Sequence, residues 1–405
     1  MKILVLTTQF GRLNGAERLG VELAEALNSR EGWRADLGSI YSDDMAGARD
    51  AEVALRSRGI KQFRYLSMAV RPGARAFLGA ILKLRHLLKT ENYDIVETSQ
   101  ITPAILASWA CWGLKARHVS GLHETYVIER FNGYKHKFWR FSIRVGRCDR
   151  FYAISEYVRR QWIAYSATPP WKTALILNAI PDDCFHAVPD RGAVREELGL
   201  PPDCRIALFV GRLLASKGVD TAIDALGPLL GPENLALVYV GEWGYVPDSL
   251  TREEQALKQV IGSAIEANGW SSRVCFLGRR CDVPRLMASS DVLIHPSHTE
   301  GFGLVLAEAL AAGLPVVASH VDGIPEVLEG TDSIQIPPDD PNALRDAVLR
   351  TLRRTPAEAA CAIQRGRARA EAFRMRHRID ALALLFTEVC EGQTDIERSA
   401  HSEIR

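Results

Sequence analysis

Glu300 and Glu308 bracket the segment EGFGLVLAE, within the longer stretch DVLIHPSHTEGFGLVLAEALAAG. An apolar run ends at His295, a loop with Gly301 and Gly303 follows, and a helix is expected from Leu304 until Gly313 stops it. A helix that starts at the carboxyl end of a strand offers unpaired backbone N–H groups and the positive end of its dipole, which suits a diphosphate. Glycines let such a ligand approach the backbone, so Gly301, Phe302, Gly303, Leu304 and Val305 are candidate contacts. Glu308, about one turn into the helix, is placed to accept from ribose hydroxyls, and Glu300 in the loop to face a neutral sugar. Spacing alone leaves a plainer possibility equally open: a solvated loop acid and a surface helix acid.

A second chemical segment, GRLLASKG from Gly211 to Gly218, follows the apolar run Ile206 to Val210. Arg212 and Lys217 could converge on a pyrophosphate, give charge-assisted hydrogen bonds, and stabilise charge as a sugar–phosphate bond breaks. Two basic residues after a strand are also common as plain surface charges. In the first half, Gly15 precedes the first helical pattern, as in many α/β proteins. His123, in SGLHETY, is either structural or, with an ordinary pKa of about 6.5, a partner for a sugar hydroxyl or phosphate. No Asp-x-Asp and no histidine–carboxylate cluster at ligand spacing occurs, so phosphate charge is expected to be met without a metal.

The elements that must hold these residues follow one pattern. Short apolar runs, Ile3 to Thr7, Tyr93 to Glu97, His118 to Gly121 and Arg150 to Ile154, alternate with helical periodicity such as Leu19, Leu23 and Leu27. A second series runs through Ile206 to Val210, Leu235 to Val240, Val274 to Leu277, Val292 to His295 and Pro315 to Ser319. Such alternation predicts mainly parallel sheets with helices on both faces. A chain of 405 residues exceeds one comfortable core, so two domains and a cleft are expected. The prolines from Pro181 to Pro202 put the boundary there: residues 1–187, then 188–375, with a last helical segment 376–405 ending in a polar tail.

Charge is divided unequally: residues 1–187 hold 27 Lys+Arg against 18 Asp+Glu, the remainder 23 against 31, or +9 and −8. A basic half suits an anionic partner. Val53 to Thr90 has nine Lys/Arg and no acid, and Tyr134 to Arg150 mixes cations with Phe138, Trp139 and Phe141. Either stretch could rest on anionic lipid, bind an anionic acceptor, or be solvated surface; no nucleic-acid-binding pattern is present. The apolar stretch Ile101 to Leu114 is too short to span a bilayer, and the eight cysteines form no C-x-x-C pair. A cytoplasmic protein, peripheral on the inner face of the membrane if the basic stretches bind lipid, is the expectation.

The E-x7-E segment, with the following ALAAGLPVVAS and DGIPEV and the upstream GRLLASKG, resembles the signature of retaining glycosyltransferases of family 4, the group 1 glycosyl transferases. The likeness covers most of the chain and is strongest from Ile206 to Gly330. It implies the GT-B fold, two Rossmann-like domains facing a cleft, with acceptor on the amino-terminal domain and a nucleotide diphosphate sugar on the carboxyl-terminal one. It implies metal-independent, hexosyltransferase-type transfer with retention to a glycan, glycolipid or similar hydroxyl, as in cell-surface polysaccharide or glycoconjugate synthesis. It makes Glu300, His123, Arg212 and Lys217 the reacting-centre residues, and Gly15, Gly211, Arg279 and Gly301 to Val305, with Glu308, donor contacts. The family's glycine after the asparagine of LILNAIP is Ala179 here, and VGEWGYVPDSL replaces a shorter glycine-rich turn, with Trp243 and Tyr245 expected to pack. Two rivals share the architecture: a sugar-nucleotide epimerase, and a non-catalytic nucleotide-sugar-binding subunit.

Overall fold

The computed structural model describes residues 1–9, 15–43, 48–69, 72–125, 133–244 and 249–392, apart from the side chains of residues 16, 134 and 135. The chain divides into two compact units, Met1–Leu177 joined by the segment from Arg376 on, and Asn178–Met375.

The first unit carries strands β1 (Lys2–Thr7), β2 (Arg34–Ser39), β3 (Phe63–Tyr65), β4 (Ile95–Thr98), β5 (Arg117–Leu122), β6 (Arg150–Ala153) and β7 (Thr173–Leu175). They alternate with helices α1 (Gly15–Asn28), α2 (Ala48–Ser57), α3 (Ala74–Glu91), α4 (Ile101–Ala110), α5 (Tyr134–Val145) and α6 (Glu156–Ser166). The sheet is parallel in the order β3-β2-β1-β4-β5-β6-β7. Ile3 pairs with Ala35 on one side and Ile95 on the other, so the strand order reverses at β1. Five of the six β1 residues are buried, because helices cover both faces and a parallel strand then needs a continuous apolar run. Ser155 caps α6, its Oγ accepting from the Val158 N–H at 3.1 Å.

The second unit runs α7 (Arg191–Glu197), β8 (Arg205–Val210), α8 (Val219–Leu226), β9 (Leu235–Val240), α9 (Arg252–Ala267), β10 (Val274–Phe276) and α10 (Val283–Ser289). It continues with β11 (Val292–His295), α11 (Leu304–Ala312), β12 (Val316–Ser319), α12 (Ile324–Val327), β13 (Ile334–Ile336), α13 (Pro341–Leu352) and α14 (Pro356–Ala370). Its parallel sheet has the order β10-β9-β8-β11-β12-β13, reversing between β8 and β11. Phe209, Leu237, Tyr239, Ile294 and Val317 of the sheet pack with Ile223, Leu226 and Val348 of α8 and α13. Each such side chain contributes about 1.5–3 kcal/mol by leaving water. α15 (Met375–Glu391) closes the described chain and, from Arg376, belongs to the first unit.

The second unit begins at Asn178, ten residues before the proline-rich stretch suggests. The reason is local: the Ile180 N–H donates to the Phe373 carbonyl at 2.9 Å, and Arg374 bonds Asp182 at 3.1 Å.

Candidate functional site

In an open α/β sheet, ligands bind outside the carboxyl ends of the strands where their order reverses. In the second unit that point lies between β8 and β11, whose following loops carry Lys217 and Glu300. The Lys217 Nζ donates to Glu300 Oε2 at 2.6 Å and reaches the Thr299 carbonyl at 3.5 Å. His295, the last residue of β11, brings Nε2 within 3.3 Å of the same Oε2. An ionised carboxylate only accepts, so His295 donates. Burial opposes the Glu300 charge, but the His295 hydrogen bond and the Lys217 ammonium outweigh it and hold the carboxyl at about 2.

Backbone bonds lock the two loops together. The Ser216 carbonyl accepts from the His298 N–H at 3.0 Å and from Ser297 Oγ at 3.2 Å. Asp322, at φ +52°, takes the Glu300 N–H at 3.0 Å and the Thr299 hydroxyl at 2.6 Å. Gly218, at φ +69°, lies so near β11 that a Cβ there would stand 2.1 Å from the Pro296 carbonyl oxygen. Only glycine fits both that backbone and that space.

α11 begins at Gly303, φ +87°, with no side-chain cap and no acid in its first turn. Its leading N–H groups are thus presented to an anion. Leu304 and Val305 are half-buried in that turn, Gly301 and Glu308 are half-buried, and Phe302 is turned into the core, edge-on to Phe373 at 5.3 Å. Phe302 therefore has only its backbone to offer a donor. Arg212 is exposed after β8, and Arg279 is exposed after β10.

The glycines after three neighbouring strands pack backbone to backbone. The Gly211 N–H donates to Val240, the Gly241 N–H donates to Gly278 at 2.8 Å, and a Cβ on Gly241 would collide with the Gly211 carbonyl. The motif reading passed over His295, which reads in sequence as the polar end of an apolar run, and Gly241, which packs on Gly211. Trp243 packs on Phe276, ring centroids 5.6 Å apart, and on the second unit's core. Tyr245 lies outside the described residues.

In the first unit, Gly15 opens α1 and is exposed, and His123 follows β5. The His123 Nε2 is shut from solvent without a hydrogen-bond partner among the described residues. Burial, then the Arg378 charge, push its pKa well below the ordinary value, so the ring is neutral. Among the described residues, no group of three His, Cys, Asp or Glu could hold a metal ion, and no helix is long and apolar enough to cross a membrane.

Two doubly wound units of this kind make a GT-B fold, and solved structures of that class bear this out. The Anabaena protein HepE, solved with UDP, overlays at TM-score 0.79 with 23% identity, covering 96% of this chain and 100% of that one. The sucrose-phosphate synthase of Thermosynechococcus elongatus overlays at TM-score 0.77 with 21% identity, covering 97% and 100%. The profile described as Glycosyltransferase Family 4 matches residues 13–183, and that described as Glycosyl transferases group 1 matches residues 204–354. The chain belongs to glycosyltransferase family 4. Among curated relatives, a D-inositol 3-phosphate glycosyltransferase of Mycolicibacterium paratuberculosis is 33% identical over 259 residues, 63% of this chain and 56% of that protein. The chain thus spans about half the length of the curated relatives it matches.

Proposed function

We propose that this protein is a retaining, metal-independent glycosyltransferase that moves a hexosyl group from a nucleotide diphosphate sugar to a hydroxyl of a glycan, glycolipid or similar acceptor. The observation that supports this most is the Lys217–Glu300–His295 cluster at the second unit's strand-order reversal, beside the uncapped start of α11. In this reading the bond from the anomeric carbon to the β-phosphate oxygen breaks, and the acceptor oxygen bonds to the same face of the sugar. The acceptor proton leaves with the departing phosphate. Lys217, Arg212 and the α11 N–H groups stabilise the diphosphate. Glu300 Oε1, the oxygen not taken by Lys217 and His295, accepts from the sugar, and Glu308 holds the ribose. Gly211, Arg279 and Gly301 to Val305 line the donor, and the family resemblance assigns Gly15 to the donor and His123 to the reacting sugar. HepE has also been solved with UDP-glucose, which makes that donor the first to try.

The test is a donor screen on the full chain with mass-spectrometric detection of released nucleotide and NMR of the sugar product. Slow hydrolysis with retained configuration, undiminished by EDTA and lost in Glu300→Ala and Lys217→Ala, is expected. Epimerised donor would favour the epimerase, and donor binding without any turnover would favour a binding subunit.

The work in cell-surface polysaccharide or glycoconjugate synthesis would take place at the inner face of the membrane. Leu78 and Leu82 of α3 are 56% and 58% exposed, one helical turn apart, within the basic stretch Val53 to Thr90. Phe141 of α5 is 52% exposed. Apolar side chains among cations suit an anionic lipid surface. Sedimentation with phosphatidylglycerol vesicles, weakened in a Leu78→Glu, Leu82→Glu variant, is the expected outcome; no binding by the wild type would exclude it.

A further inference from the structure

At the carboxyl ends of β4, β5 and β6, the first unit buries polar side chains for which the transfer chemistry above has no use. Glu97 of β4, Ser99 just after it, Tyr152 of β6 and Arg378 of α15 are all buried. The Tyr152 hydroxyl donates to Glu97 Oε1 at 2.6 Å, and Ser99 Oγ donates to the same oxygen at 2.6 Å. The Arg378 guanidinium donates to the Tyr152 oxygen at 3.3 Å. Arginine to phenol to carboxyl is a chain in which each bond polarises the next.

Room for the phenol is made by Gly121, its register partner on β5. A Cβ there would lie 2.4 Å from the Tyr152 oxygen. The Tyr152 ring then meets the His123 imidazole edge-on, centroids 6.1 Å apart and planes at 84°. A phenylalanine at position 152 would fill the sheet interior with no polar group to satisfy. Burying a carboxyl, a guanidinium and a phenol there instead costs stability unless orientation is gained.

We infer that Tyr152 is a positioning residue for the transfer: its ring sets the direction of the His123 imidazole, and Glu97, Ser99 and Arg378 anchor its hydroxyl. This rests on the reading of His123 as a participant in the reaction. A ring pinned only by packing can turn about its side-chain bonds, whereas one whose hydroxyl meets Glu97, Arg378 and, at 3.1 Å, Ser99 cannot. The charged groups facing His123 are Arg378 from α15 and, across the phenol, Glu97 from β4. Burial, and then the Arg378 charge, disfavour an imidazolium, and burial pushes the Glu97 carboxyl up, so the anchored Tyr152 ring faces a neutral histidine able to donate or accept at Nε2.

The experiment compares wild type, Tyr152→Phe, Tyr152→Leu, Ser99→Ala and His123→Asn in the full chain, by UDP-glucose hydrolysis and by NMR of the 13C-labelled His123 ring. Tyr152→Phe is expected to lower kcat about tenfold with the donor KM unchanged, and Tyr152→Leu more. Ser99→Ala, which removes one anchor and keeps the phenol, is expected to lower kcat about threefold. The His123 ring signals, sharp in wild type, should broaden or double in every variant that loosens Tyr152, with no substrate present. Wild-type kcat and sharp ring signals in those variants, with His123→Asn inactive, would overturn the positioning role and leave the transferase reading standing. Full activity in His123→Asn would instead remove the histidine from the reaction and the inference with it.

Discussion

After β8 and β11 an acid is held ionised, with Glu300 at about 2, while at the carboxyl ends of β4 and β5 burial pushes the acid Glu97 up and the histidine His123 down. Both sites sit at the carboxyl ends of parallel strands, and both contain a carboxylate, a histidine and a cation. What differs is what meets the carboxyl: a lysine and a histidine at Glu300, a phenol and a serine hydroxyl at Glu97. The Arg378 guanidinium bonds the Tyr152 oxygen, which in turn donates to Glu97. A contacting cation and a histidine donor overcome desolvation; two neutral hydroxyls do not.

Lys217→Ala removes the direct cation, and kcat is expected to fall roughly 100- to 1,000-fold, the usual cost of losing one preorganised transition-state donor; near-normal turnover in a folded variant would refute the assigned role. Gly218→Ala attacks the scaffold rather than the charge, since a Cβ would lie 2.1 Å from the Pro296 oxygen at φ +69°. A loss of about 3 kcal/mol is expected by chemical denaturation, with both strain and collision contributing.

His295→Leu leaves Lys217 in place and removes the other partner of Glu300 Oε2. Without the histidine donor the Glu300 carboxyl should rise from about 2 toward its ordinary 4.5, moving the acid limb of the rate profile upward. The donor KM should rise roughly tenfold, about 1.4 kcal/mol. In wild type the folded pKa of Glu300 lies below the unfolded one, so its stabilisation is complete above about 4.5 and is lost as pH falls toward about 2. A pH series of thermal melts reads this directly.

The smallest test is Glu22 on α1, whose carboxyl burial pushes up to about 7 despite Arg18 and Arg58. Here the folded pKa exceeds the unfolded one, so the proton is bound more tightly in the folded chain and stability falls as pH rises from about 4.5 through about 7. Glu22→Gln should therefore stabilise the first unit at pH 8, by about 1–3 kcal/mol, and do little at pH 4. An equal effect at both values would mean that the amide acts through packing rather than through charge.

Much of the second unit's site was legible because its signals are local. The apolar run to His295, the glycines of the loop and the helical run to Gly313 give β11 and α11 nearly to the residue. The meeting of Lys217 with Glu300 is another matter: they stand 83 residues apart and meet because β8 and β11 are neighbours, which periodicity does not disclose. The same holds for Glu97, Tyr152 and Arg378, which look like an acid ending a short strand, an aromatic within one, and a cation on an amphipathic helix. Strands β3, β7 and β13, three residues each, carry too little pattern to stand out.

The placement of Arg378 on α15 bears on the order in which the protein is made. The first unit cannot complete its buried relay when Leu177 leaves the ribosome, because the guanidinium that closes it follows the whole of Asn178–Met375. At translation speeds of about 5–20 residues per second, Tyr152 waits about ten seconds or more for its cation, and Arg378 follows the second unit's last residue within about a second. The first unit thus cannot mature until the second has been synthesised in full.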